Sequence, residues 1–181
     1  MKKVVLPLFS GLTALLITGV VMIPIITTQS KPVSADVEVS ISDIKSQLTT
    51  ETSVPILLPN QLPFELEPIY FNSETTSNGY SVEFWAVPDC QGATACYLGH
   101  IEVEKNGEFQ PIEPDLSPRS EYKKVTLANN IEGVFYNGCG AYCTAYIEFK
   151  YQNALYRVVL KNGTQADLEQ IASNMIVSAS N

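Results

Sequence analysis

From residue 80 onward, apolar and polar side chains alternate in short runs separated by glycine, asparagine and proline, the pattern of an antiparallel sheet with one buried face. In Tyr80–Val87 the residues Val82, Phe84 and Ala86 alternate with Ser81, Glu83 and Trp85. In Cys96–Glu104 the set Tyr97, Gly99, Ile101 and Val103 alternates with Leu98, His100, Glu102 and Glu104. A shorter strand is predicted at Pro68–Asn72, followed by a turn over Ser73–Gly79. Asn106-Gly107 predicts a hairpin, because both residues accept positive φ. Residues 108–120 carry Pro111, Pro114 and Pro118 and read as an irregular loop. Val125–Leu127 and Ile131–Tyr136 form a further pair around Asn129-Asn130. Tyr146–Tyr151 and Ala154–Leu160 form a hairpin joined by Gln152-Asn153, with Ile147, Phe149, Tyr156 and Val158 toward the core.

Two segments carry the helical period instead. Ile41, Ile44 and Leu48 recur at i, i+3 and i+7 within a polar lead-in, Asp36–Ser53, and predict a short amphipathic helix. At the other end Leu168, Ile171, Ala172, Met175 and Ile176 share one helical face, and Thr164 with Asp167 has the spacing of a capping box. Asn162-Gly163-Thr164 also matches a glycosylation acceptor; the turn and helix cap are the reading adopted. Between helix and sheet, Val54-Pro55-Ile56-Leu57-Leu58-Pro59 is extended, since each proline fixes its own φ and keeps its predecessor out of a helix. The predicted fold is α+β: a curved antiparallel sheet with a short N-terminal helix and a C-terminal helix packed on one face.

Residues 1–35 stand apart from this pattern. Lys2 and Lys3 precede 23 uncharged residues, Val4 to Ile26, and a polar stretch ends in Val33-Ser34-Ala35. Small residues there suit signal peptidase, so residues 1–35 read as a signal peptide cleaved after Ala35. The alternative is a retained membrane anchor, for which the run is long enough, although Pro7, Gly11, Gly19 and Pro24 interrupt it. No cysteine lies near the cleavage site, which excludes a lipoprotein-type anchor. The domain organisation expected is thus a leader at 1–35, a lead-in at 36–53 and one α+β domain at 54–181.

Composition changes the functional picture more than the structural one. The chain has 181 residues, 45% hydrophobic and 17% charged, with net charge −8. That is too apolar for a disordered chain and too acidic for a nucleic-acid binder. Without the leader, eight basic residues face nineteen acidic ones. Such a surface repels anionic headgroups and favours solubility.

Four cysteines remain, Cys90, Cys96, Cys139 and Cys143. An even count in an exported chain predicts two disulfides formed in an oxidising compartment. The local scheme, Cys90–Cys96 and Cys139–Cys143, is favoured because strand-like segments flank each pair. The spacings are five and three intervening residues, so neither is the Cys-x-x-Cys of a thiol oxidoreductase, and only the second suits a zinc site.

Catalytic signatures are missing. His100 is the single histidine, with Glu102 two residues on, and reads as a solvated strand position rather than half of a metal or acid–base pair. No Gly-x-Ser-x-Gly elbow and no phosphate-binding glycine loop occurs. Glu102, Glu104 and Glu148 are candidates for carboxylate-based glycoside chemistry only because acids are numerous. Tyr70, Tyr80, Trp85, Tyr97, Tyr136, Tyr142, Tyr146, Tyr151 and Tyr156 fall mostly in strands and offer a tyrosine-rich sheet face for sugars, peptides or lipid chains.

From Val54 to the final helix the pattern resembles a family of uncharacterised secreted bacterial proteins. More distantly, Ile147-Glu148-Phe149-Lys150, Ala154-Leu155-Tyr156-Arg157, Leu168 and Ile171-Ala172 resemble the terminal hairpin and helix of a domain in outer-membrane lipoprotein carriers and anti-sigma-factor regulators. That resemblance implies a sheet that cups a lipid or peptide, and it brings no catalytic residues. The cysteine loops and the prolines of 108–120 depart from that group. The function expected is an exported, non-enzymatic binding domain of the cell envelope. Its partners would be lipid, peptide or an envelope protein, with no cofactor, no metal and no nucleic acid; the alternative is a carboxylate-based hydrolase acting on glycans.

Overall fold

A computed structural model describes residues 41–49, 51–65, 68–90, 93–111, 121–140 and 142–179. The expected signal peptide lies outside the described residues, as does most of the proline-bearing loop. Nine elements and one 3-10 turn follow in order: α1 (Ile41–Thr49), β1 (Tyr70–Thr76), β2 (Gly79–Trp85), β3 (Tyr97–Lys105), β4 (Glu121–Thr126), the turn Ala128–Asn130, β5 (Glu132–Cys139), β6 (Cys143–Tyr151), β7 (Ala154–Lys161) and α2 (Gln165–Ser178). The strands form one open antiparallel sheet in the order β1-β2-β3-β7-β6-β5-β4. The α+β architecture is the predicted one.

One face of the sheet is the core. Tyr80, Val82 and Phe84 of β2, Ile101 and Val103 of β3, Tyr156, Val158 and Leu160 of β7, Ile147 and Phe149 of β6 and Phe135 of β5 are all buried there. Helix α2 lies on this face through Leu168, Ile171, Ala172, Met175 and Ile176. Its capping box closes as predicted: the Thr164 hydroxyl accepts from the Asp167 amide and Asp167 accepts from the Thr164 amide at 3.0 Å. The extended segment 54–59 covers the rest of the face. It is pinned by two buried tyrosines: Tyr156 donates to Pro55 O at 2.6 Å, and Tyr80 donates to Leu57 O while accepting from Leu57 N. These phenols have no other polar outlet in an apolar layer, and burial raises the pKa of both.

Three expectations are corrected. The first strand does not stop at Asn72; β1 runs on to Thr76, paired Thr75↔Tyr80 and Thr76↔Gly79, so Ser77-Asn78 alone makes the turn. Its second half is polar because β1 is an edge strand and is poorly covered, which removed the apolar alternation. Asn106-Gly107 does not join two paired strands. Asn106 adopts positive φ (55°), but the neighbouring position beside β3 is taken by β7, and the chain leaves the sheet as a strap over 106–111.

The third correction concerns the start of β3. The register slips between Phe84↔Gly99 and Trp85↔Tyr97, a β-bulge that leaves Leu98 as the extra residue. Leu98 thereby packs against the core, and Tyr97 turns to the opposite face beside Trp85. The strict alternation that grouped Tyr97 with Ile101 fails at this point. Gly99 accommodates the close approach that results: a Cβ there would sit 2.2 Å from Val159 O.

Candidate functional site

The opposite face of the sheet carries neither helix among the described residues, only the strap 106–111 and the loop ends. Cross-strand register arranges its side chains in rows. One row reads Glu83, His100, Val159, Tyr146, Tyr136, Tyr122 from β2 to β4. The next reads Ser81, Glu102, Arg157, Glu148, Val134, Lys124. At one end Tyr70, Trp85 and Tyr97 stand side by side on β1, β2 and β3.

Aromatic rings make the body of this surface. Trp85 and Tyr97 meet edge-on at 5.3 Å, and Tyr136 and Tyr146 tilt together at 4.9 Å. All of these rings are half-buried, with edges or faces left to solvent. Tyr97 also hydrogen-bonds His100 Nδ1. His100 is therefore not the solvated position expected: neighbours desolvate it, and burial lowers its pKa against the opposing pull of Glu102 and Glu83. Burial and the adjacent Glu148 carboxylate push the Tyr146 hydroxyl up to about 12, so it remains a donor at neutral pH.

Beside the rings, in the next row of the same face, lies a charge network. Glu148 is fully buried and accepts from Arg157 Nε at 2.7 Å, Arg157 Nη2 at 2.6 Å and the Gln110 backbone amide at 3.0 Å. Arg157 Nη1 reaches the half-exposed Glu102 at 2.9 Å, and its guanidinium carbon lies 5.9 Å from the Tyr146 ring centre. Desolvation works against the guanidinium charge, but the two carboxylates outweigh it and raise its pKa. The strap is fastened a second time by Lys150, which pairs with Glu108 at 2.8 Å and sits over Phe109. Glu102 and Glu148, named from the sequence as possible glycosidase carboxylates, share this one guanidinium, which fills the position between them. Glu104 lies farther along the same face, opposite Leu155.

The cysteines frame one end of the surface. Cys90 is bonded to Cys96 across the β2–β3 connection, and Cys139 to its register partner Cys143 at the β5–β6 turn. Lys161 links the two loops, donating to Thr94 O at 2.5 Å and lying over the Tyr142 ring. The remaining tyrosines of the predicted set divide by parity: Tyr80, Tyr151 and Tyr156 belong to the core side. Tyr122 joins the outer face, and β4 begins four residues before the strand expected at Val125, because Tyr122 and Lys124 alternating with Lys123 and Val125 make no apolar rhythm.

Several concavities open around the sheet, one of about 310 Å³ on this face beside Phe109, Tyr122, Lys124 and Val134. Tyr70, Asn72, Glu83, Trp85, Pro88 and Asp89 line an open cleft of about 500 Å³ on the aromatic end. Leu62, Phe64, Ile69, Phe71 and Ile171 line another, of about 470 Å³, between α1, α2 and the edge of β1. Among the described residues no group of three or more His, Cys, Asp or Glu side chains is placed to hold a metal, and no helix is long and apolar enough to cross a membrane. The two disulfides fit maturation in an oxidising compartment outside the reducing cytosol. Comparison with protein families, with characterised proteins and with solved structures finds no match to this chain.

Proposed function

We propose that the protein is an exported, non-enzymatic binding domain whose ligand lies on the aromatic face of the sheet. The observation that carries this reading is the convergence of Tyr70, Trp85, Tyr97, Tyr122, Tyr136 and Tyr146 on the face that bears neither helix among the described residues. Rings of this kind are ordinarily used to fill a core; held half-open on a wide sheet they supply contact area at low entropic cost. The Glu148–Arg157–Glu102 network supports the reading by fixing the central strands under the rings, and the two disulfide loops stiffen the rim. A net acidic chain supports neutral or cationic ligands over anionic ones. Export to the periplasm or the medium is the setting in which the two disulfides persist. The test is a thermal-shift panel of oligosaccharides, peptides and lipids on the disulfide-bonded protein. A ligand that raises the melting temperature, and loses that effect when Tyr136 and Tyr146 are changed to alanine, supports the proposal. No shift with any ligand counts against it.

A further inference from the structure

Within that surface, the β1–β2 cleft has a chemistry of its own. Register sets Tyr70 opposite Trp85 and, one pleat further, Asn72 opposite Glu83. A ring pair and a carboxylate are therefore immediate neighbours, with Pro88 and Asp89 closing one side of the about 500 Å³ space. Glu83 is half-buried, and among the described residues no lysine or arginine lies within ion-pair distance of it. Its polar neighbours are Asn72, Tyr97 and the desolvated His100, none of which supplies a positive charge at neutral pH. Among the described residues the cleft lining holds acids and no base.

Each ligand class meets this arrangement differently. An anion is repelled. A neutral sugar could stack on the rings and donate a hydroxyl to Glu83, but it leaves the negative charge itself unbalanced. A cation with an apolar shell satisfies both halves: its methyl groups contact the ring faces, where the negative quadrupole attracts charge, and its charge faces the carboxylate. Quaternary ammonium fits best because it gives up little hydration on entering.

We propose that the cleft formed by Tyr70, Trp85 and Glu83 binds a quaternary alkylammonium group, the rings packing on its methyls and the carboxylate balancing its charge. This rests on the reading of the aromatic face as the ligand surface. Trp85 is the single tryptophan of the chain, so its fluorescence reports the site directly. The experiment titrates the disulfide-bonded protein with choline and, in parallel, with 3,3-dimethylbutan-1-ol, which has the same shape without the charge. The expected result is a saturable change in Trp85 emission with choline and binding of the neutral analogue weaker by about tenfold or more, with a similar loss for choline in Glu83→Gln and Tyr70→Ala. Equal response to the two compounds in the unaltered protein overturns the proposal, and that comparison does not depend on any variant folding. Absence of a choline response, while another ligand still perturbs Tyr136 and Tyr146, overturns the ammonium site and leaves the wider reading standing. Ligand effects confined to the cleft of Leu62, Phe64 and Ile171 overturn both.

Discussion

Replacing Arg157 by methionine isolates the energetics of the charge network on the aromatic face. The substitution keeps most of the side-chain volume but leaves Glu148, whose side chain is 1% exposed, with only the Gln110 amide as a partner. Removing one member of a buried pair strands the other charge, at a cost of about 3–5 kcal/mol. The same guanidinium also holds Glu102, whose side chain is 51% exposed. Losing that bond through Glu102→Gln should cost less than about 1 kcal/mol, because water replaces it. The double variant Arg157→Met/Glu148→Leu removes both buried charges and should regain most of the stability, with a coupling energy of at least about 2 kcal/mol. Equilibrium urea unfolding followed by far-ultraviolet circular dichroism, with the disulfides intact, measures the unaltered protein, these three variants and Glu148→Leu, which completes the cycle. The reasoning is refuted if Arg157→Met is no more harmful than Glu102→Gln, or if the double variant remains as unstable as Arg157→Met.

Other consequences follow from the same geometry. The imidazole of His100, the chain's single histidine, should titrate below its ordinary value near 6.5 when followed by proton NMR. Its folded pKa being lowered, the unfolded chain takes up the proton first. Stability is therefore full above about pH 6.5 and falls as pH drops toward the folded value, a loss that His100→Asn should diminish in urea unfolding. Tyr156→Phe removes the bond to Pro55 O and should cost about 1 kcal/mol, whereas Tyr80→Phe also strands the Leu57 amide and should cost more. Amide exchange at Leu57 should accelerate in Tyr80→Phe and remain slow in Tyr156→Phe. Because each disulfide closes a very short loop, reducing either should cost about 2 kcal/mol, and the fully reduced domain should keep its sheet signal, since the core joins α2 to β6 and β7 independently of the cysteines.

Much of the fold was legible because local rules and burial agreed. The five apolar positions of α2, its capping box, and the β6–β7 hairpin around Gln152-Asn153 each carry a period and a turn that point to one structure. The hairpin even contained the central ion pair: counting outward from its two-residue turn sets Glu148 opposite Arg157. Reading the acids singly, as possible catalysts, hid that partnership. What was not legible depended on contacts distant in sequence. The bulge that exchanges Leu98 and Tyr97 between faces lies at the start of β3, just before its pairing with β7 begins at Gly99. Nothing in the alternation of residues 96–104 records it. Tyr122 was missed because strand β4, at the sheet edge, buries little besides Val125 and so lacks an apolar rhythm. The division of the tyrosines into core anchors and surface rings required the register itself.

That division is also the most direct test of the account. With tyrosine rings isotopically labelled, NMR spectra of the oxidised protein recorded with and without a ligand found in the thermal-shift panel report each ring separately. A ligand on the sheet surface shifts Tyr70, Tyr97, Tyr122, Tyr136 or Tyr146 and leaves the signals of Tyr80 and Tyr156 unmoved. Shifts at Tyr80 and Tyr156, with the sheet-surface rings unchanged, would place the ligand in the core layer and contradict the proposal.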